Sequence, residues 1–262
     1  MKKIKIILKK ILNSIGSNKD INKIKLDEVL NYQLTRLLNN NKYFDENKIN
    51  SLEDLLKDLL GTSLIEGIKI VESLNMTSNI DGDVCEFGVA QGKTSKLIGF
   101  FIKNSNKNLY LFDSFKGLPA PTKKDELKDD IFKLGKIENY EGKMAHLEIK
   151  VQNELKEIGF DEKRIVINKG FLNKNSINNM KLPKHVSFAY LDFDFYQPTL
   201  DGLKFLEKSL SIGGIIIVDD YDFFSTGAKK ATDEWFEYNS NSFQKEIIKT
   251  KMSSFIVIKK MK

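Results

Sequence analysis

The stretch FAYLDFDFYQPTLDGLKFLEKSLSIGGIIIVDDY, from Phe188 to Tyr221, reads as strand, helix, strand. An apolar run ends in Leu191-Asp192-Phe193-Asp194, and apolar residues then recur at helical spacing through Leu200, Leu203, Phe205, Leu206 and Leu210. Ile215-Ile216-Ile217-Val218, bounded by Gly213-Gly214 and closed by Asp219-Asp220, is β-branched throughout. It predicts a strand buried on both faces, the habit of a parallel sheet between helix layers. Ligands of such sheets sit beyond the carboxyl ends of the strands. Both strands end there in acids, so Asp192, Asp194, Asp219 and Asp220 are expected to crowd one edge. Like charges at close range raise one another's pKa and oppose folding. A hard divalent cation with oxygen ligands, Mg²⁺ above all, relieves that repulsion. A single Asp-x-Asp would read as a helix cap or a solvated loop, whereas two pairs on consecutive strands point to a site.

Toward the N-terminus, Asp83-Val84-Cys85-Glu86-Phe87-Gly88 is a core strand, and Val89-Ala90-Gln91-Gly92-Lys93-Thr94-Ser95 turns into a helix that runs to Lys103. Gly88-x-x-x-Gly92-Lys93-Thr94 approaches a phosphate-cradling loop, with IIIVDD as its magnesium-binding strand, but three residues separate the glycines where that loop needs four. The dinucleotide fingerprint Gly-x-Gly-x-x-Gly is missing as well. What remains suits a ligand with a cationic amino-acid part. Glu86 offers the negative charge, Gly88 and Gly92 let the backbone approach, and Phe87, Val89 and Thr94 belong to the same turn. The next strand, Leu109 to Phe112, ends at Asp113, twenty-five residues after Gly88. An acid at such a distance from the glycine turn is placed to accept hydrogen bonds from ribose hydroxyls. The two anchors together point to S-adenosylmethionine.

Composition narrows the class. A chain of 262 residues accommodates one α/β domain with a helical extension. No apolar run is long enough to span a bilayer, and the start, MKKIKIILKKIL, is too short and too interrupted by lysine for a signal sequence, so a cytoplasmic location is expected. The lone Cys85 lies in an apolar run and is expected to be a buried thiol. The net charge of +6 comes almost wholly from scattered lysine, the arginines being Arg36 and Arg164. Nucleic-acid recognition leans on arginine with interleaved aromatics, so no nucleic-acid partner is expected.

In this order and spacing CEFGVAQGKTS, LFDSFKGLP, LDFDFYQPTLDGL and GGIIIVDDY resemble the macrocin O-methyltransferase family over about residues 60 to 240. These are class I S-adenosylmethionine-dependent enzymes that methylate sugar hydroxyls with Mg²⁺. The resemblance implies a Rossmann-like α/β fold with a mostly parallel seven-stranded sheet and an antiparallel C-terminal edge. It implies that Asp192, Asp219 and Asp220 hold the ion, that Asp194 takes the proton, and that Asp113, Ser114 and Phe115 hold the ribose and adjoining parts of the cofactor. A sugar-type small-molecule substrate and a homo-oligomer are expected with it. A phosphate-loop NTPase, a catechol or phenol methyltransferase and a non-catalytic binding module stay open as alternatives at this point.

The rest of the chain is read around that frame. Residues 1–80 are charged and helical in pattern, an N-terminal extension to the methyltransferase domain of residues 81–262. Leu52, Leu55, Leu56, Leu59 and Leu60 mark one apolar face, Ser51 is a candidate helix start, and Asn39 to Asn50 reads as a loop. The first dozen residues are expected to pack on protein rather than on a membrane surface. Residues 114–140, with Gly117, Pro119, Pro121 and the run KKDELKDD, read as a lid anchored at Phe115 and Leu118. A helix from Gly142 to Ile158 would carry His146 on its surface. Arg164 to Asn168 is the third strand, followed by Lys169-Gly170-Phe171, where Gly170 and Phe171 border the adenine position. His185 precedes the fourth strand, remote from chemistry. Trp235 is read as core, and the runs Phe243 to Ile248 and Phe255 to Ile258 as the closing hairpin.

Overall fold

The computed structural model describes residues 49–250 and 253–262. The chain divides into two compact units, Met1–Asp54 and Leu55–Lys262. Of the first, only residues 49–54 are described, the start of helix α1 (Ile49–Lys57). The helix thus begins two residues before Ser51, inside the stretch expected to be a loop. The first dozen residues lie outside the described part.

The second unit is built on a seven-stranded sheet of order β3-β2-β1-β4-β5-β7-β6. Its parallel strands are β1 (Asp83–Phe87), β2 (Leu109–Asp113), β3 (Ile165–Lys169), β4 (Val186–Leu191) and β5 (Leu210–Val218). The hairpin β6 (Phe243–Lys249) and β7 (Ser254–Lys260) closes the edge, β7 lying antiparallel to β5. Helices α2 (Leu64–Met76), α3 (Lys93–Ile102), α4 (Glu148–Glu157), α5 (Tyr196–Ser209) and α6 (Gly227–Asn239) cover the sheet. This is the Rossmann-like, mostly parallel seven-stranded sheet with an antiparallel C-terminal edge that the family resemblance implied. Right-handed crossovers leave β1 in one direction and β4 in the other, which places α3 and α4 on one face and α5 and α6 on the opposite one. Helix α2 packs on α3 and β4. The region read as an N-terminal extension therefore includes a helix seated on the sheet domain.

Period-two alternation assigns the strand residues. Cys85, Phe87, Ala189, Leu191, Ile216 and Val218 join Leu203, Leu206 and Trp235 in one buried cluster on the α5 and α6 side. Glu86, Tyr190 and Asp219 take the opposite parity, toward α2 and α3. Trp235 is core as expected, edge-on to Phe243 at 4.8 Å with its indole N–H donated to Glu207. Strand β5 begins earlier than expected. It pairs Leu210 with Val186, then resumes at Ile215 opposite Phe188, so Gly213 and Gly214 lie in a bulge within the strand rather than ahead of it. Helix α4 is shorter than predicted, and His146 lies half-buried in the irregular segment before it, not midway along a helix.

Residues 114–140 contain little regular structure but are tied down. Leu118, Ile137 and Tyr140 bury against Phe195 and Phe224. The Tyr140 hydroxyl donates to Asp130, whose carboxylate also accepts from the Leu134 and Gly135 amides. Buried Asp125 accepts from the Thr122 amide and hydroxyl and from the Tyr196 amide, each at 2.7 Å. This ties the segment to the first turn of α5, directly after Asp194. Asp125→Ala leaves the Tyr196 N–H and the Thr122 groups unpaired. We expect a loss of about 2–3 kcal/mol in chemical denaturation and faster proteolytic cutting within residues 114–140; unchanged protection would show that the apolar contacts hold the segment unaided.

Candidate active site

The parallel ladder continues one step beyond the strands. The amides of Gly170, Gly88, Asp192 and Asp219 donate to the carbonyls of Asp113, Phe112, Phe87 and Leu191 at 2.8–2.9 Å. Five chain segments distant in sequence are thereby fixed side by side along the C-terminal edge. Above it lies an open cleft lined among others by Gly88, Ala90, Asp113, Ser114, Gly170 and Phe171, with Asp192, Phe193 and Asp194 on the same wall.

Gly88 makes the close approach possible. Its φ is 81°, and a Cβ there would lie 1.7 Å from the Asp192 carbonyl oxygen. Asp113 is committed to the turn: one carboxylate oxygen accepts from the Val89 and Ala90 amides at 2.7 and 3.0 Å, the other from the Phe115 amide at 2.7 Å. Ser114 uses its hydroxyl on the Gly117 carbonyl. Of the residues expected at the cofactor, Val89 and Phe115 are not among those lining the cleft, and four others are turned to different tasks. Phe87 is fully buried and stacks on Phe112 at 4.5 Å. Gly92 is needed for packing, since a Cβ would stand 2.9 Å from the α4 backbone at Val151. The Thr94 hydroxyl bonds Thr62 at 2.8 Å. Glu86 does not line the cleft. It is completely buried, and neither carboxyl oxygen has a hydrogen-bond partner.

Burial pushes the Glu86 carboxyl up to about 8, the adjacent Ser95 hydroxyl opposing the rise and Asp113 adding to it. A carboxyl that keeps its proton in the folded state while the unfolded chain releases it loses stability as pH rises from the ordinary glutamate value toward 8. The ligand-free protein is therefore expected to be less stable to denaturant at pH 8 than at pH 5, by an amount on the order of several kcal/mol. Glu86→Gln should make that decline shallower, the raised acids at the strand ends keeping part of it; an equally steep decline in the variant would show that Glu86 does not contribute.

The acids at the ends of β4 and β5 converge as the sequence suggested, in a different grouping. One carboxylate oxygen from each of Asp192, Asp194 and Asp220 lies within 4.8 Å of the others. Asp219, expected among the ligands, is outside that group: one oxygen accepts from the Tyr190 hydroxyl at 2.7 Å and the other from the Asp220 amide at 2.7 Å. Asp194 and Asp220 both have left-handed backbones, with φ of 61° and 51°. At Asp194 the Phe195 amide bonds back to the Phe193 carbonyl at 2.5 Å, the strained form of a three-residue turn. Buried Ser225 secures it by donating to the Asp194 carbonyl at 2.7 Å. Strain held this firmly beside a cleft marks a working position. Burial first, then the neighbouring charges, hold Asp192 and Asp220 well above the usual carboxylate range and Asp194 at about 6.

The structure adds a residue that the sequence reading missed. Glu66 of α2 is fully buried, its carboxyl in hydrogen-bond contact with that of Asp219 and without any other partner. Burial, then Asp219, raise its carboxyl well above the ordinary value, with Asp192 and Asp220 contributing. The signal was available: Glu66 occupies the same helical stripe as buried Ile70 and Leu74, where an acid has no reason to be unless something inside requires it. An all-oxygen set of clustered acids with a further buried carboxyl behind it fits a hard divalent cation.

Residues 59–254 match the macrocin O-methyltransferase family. The chain belongs to that family. Among curated proteins it is similar to the 8-demethyl-8-(2,3-dimethoxy-alpha-L-rhamnosyl)-tetracenomycin-C 4'-O-methyltransferase of Streptomyces olivaceus, 22% identical over 166 residues that make up 62% of each chain. It is also similar to the demethyldecarbamoylnovobiocin O-methyltransferase of Streptomyces niveus, 23% identical over 68% of this chain and 66% of that one. Among solved structures, the O-methyltransferase NovP superposes with a TM-score of 0.59 at 17% identity, covering 90% of this chain and 99% of that one. The calicheamicin methyltransferase CalS11 gives 0.56 at 16%, covering 92% and 93%. At such identities these two likenesses establish the fold. In this macrocin O-methyltransferase relative the near-match to a phosphate loop is occupied by protein: Lys93 pairs with Asp58 at 2.7 Å and Glu154 at 2.8 Å, and Thr94 with Thr62. Neither side chain is turned toward a phosphate position, which argues against the NTPase alternative.

Proposed function

We propose that the protein is an S-adenosylmethionine-dependent O-methyltransferase that uses a divalent cation, Mg²⁺ foremost, to methylate a hydroxyl of a sugar or glycosylated small molecule. The observation that carries the reading is the shared wall: Asp192 and Asp194 line the same cleft as Gly88 and Asp113. Methyl donor and hydroxyl acceptor must meet, and here the acids stand beside the glycine turn rather than across the molecule. Family membership supports the reaction, and the rhamnosyl group in the name of the tetracenomycin relative supports a sugar acceptor.

When bound, the donor supplies an electrophilic methyl on sulfonium, and the cation supplies Lewis acidity toward an oxygen. Asp192 and Asp220, from neighbouring strand ends, are the residues that would hold the ion, with Asp219 flanking them. Asp194 reaches the same point and takes the hydroxyl proton. In the ion-free protein burial raises its carboxyl to about 6, its contact with Asp220 opposing the rise; a carboxylate positioned at the hydroxyl serves as general base. Gly88, Ala90, Ser114, Gly170 and Phe171 would border the donor, and the anchored 114–140 segment would exclude water from the transfer.

Calorimetric titration with S-adenosylhomocysteine, followed by nucleotide-linked and free sugars with donor and Mg²⁺, tests the proposal. Methylated product should form, and chelation should lower turnover at least ~100-fold, with recovery on adding the cation back. Full activity in chelator would remove the metal from the scheme, and failure to bind S-adenosylhomocysteine would remove the transferase reading altogether.

A further inference from the structure

We infer that Glu66 is a positioning residue of the cation site, a fifth carboxyl that acts on the ion through Asp219 from beneath the sheet edge. The inference rests on the metal-dependent reading above and extends it to a residue on α2.

Three observations carry it. Glu66 is 0% exposed and, its contact with the Asp219 carboxyl apart, its two oxygens have no hydrogen-bond partner, an arrangement that native interiors rarely leave uncompensated. It is directed at Asp219, and Asp192 and Asp220 lie close enough to act on it by charge. Asp219 is in turn fixed from the other side by the Tyr190 hydroxyl at 2.7 Å, and Tyr190 lies 3.4 Å from the Thr62 hydroxyl just ahead of α2. The acid layer at the strand ends therefore has a second layer behind it, contributed by the start of α2. Asp219 accepts from the Asp220 amide at 2.7 Å, so a carboxyl seated behind Asp219 steadies Asp220, one of the three acids that converge; removing a partner that orients a ligand typically costs about 10–100-fold in metal affinity. A residue serving only to pack α2 would leave the affinity for the ion unchanged.

Glu66→Gln keeps the size and removes the charge. Titrating Mn²⁺ into wild type and variant, followed by electron paramagnetic resonance of the free ion, should show at least ~10-fold weaker binding in the variant. S-adenosylhomocysteine affinity should stay within about twofold, and the ion-free melting temperature should be equal to or above that of the wild type. Glu66→Met, of similar length and without polar atoms, is the second variant, with the same expectation for Mn²⁺. Equal Mn²⁺ affinity in wild type and variants overturns the inference and leaves the metal-dependent reading standing. An ion-free melting temperature that falls in both variants, with Mn²⁺ affinity unchanged, reduces Glu66 to a packing residue. A wild type that binds neither Mn²⁺ nor Mg²⁺ overturns the reading and the inference together.

Discussion

Asp194→Asn should lower turnover by roughly 10²–10⁴-fold, the range expected when a positioned general base is lost, while S-adenosylhomocysteine binds as before. The substitution is nearly isosteric, and asparagine tolerates the left-handed backbone that Asp194 adopts, with φ of 61°. The turn secured by Ser225 should therefore survive, since Ser225 bonds the main-chain carbonyl and not the carboxylate. What is lost is the proton acceptor within 4.8 Å of Asp192 and Asp220. Single-turnover measurement with saturating donor and sugar separates the chemical step from binding. A variant retaining more than a tenth of wild-type turnover would show that another group takes the proton.

Gly88→Ala should be more damaging still. Its Cβ would sit 1.7 Å from the Asp192 carbonyl oxygen, and the obstacle is backbone, with no side chain to swing aside. Relief requires β1 and β4 to part at their ends, breaking the hydrogen bond from the Asp192 amide to the Phe87 carbonyl. The left-handed φ of 81° adds about 1–2 kcal/mol for any residue with a Cβ. We expect a loss of at least ~3 kcal/mol in denaturant unfolding, no measurable turnover, and weakened Mn²⁺ binding because Asp192 moves. Wild-type stability and turnover in this variant would contradict the close approach on which the site is built.

The sheet was legible because its strands announce themselves: the β-branched run at Ile215 to Val218, closed by acids, fits a buried parallel strand better than any helix or loop. The strand ends pointed to Asp192, Asp194, Asp219 and Asp220 as neighbours on one edge, and the structure gathers three of the four, leaving Asp219 outside the group. Spacing alone could not reveal how the side chains divide their bonds. Asp219 and Asp220 are adjacent in the chain, yet one turns to Tyr190 and the other to Asp192 and Asp194. Thr94 and Gly92 have the identities of a ligand-binding turn, but their environment is set by Thr62 and by α4, which arrive from far along the chain. Glu66 escaped notice although its spacing from Ile70 and Leu74 places it on the buried stripe of its helix; which acids it faces is set by β4 and β5, far along the chain.

The left-handed aspartates at positions 194 and 220 carry a cost for anyone seeking a hardier version of this protein. Each would be more comfortable as glycine or asparagine, and each of those replacements discards a carboxylate from the cleft. Screens that reward survival at high temperature will therefore favour inactive descendants at these two positions, and directed evolution here should select on product formed rather than on heat resistance.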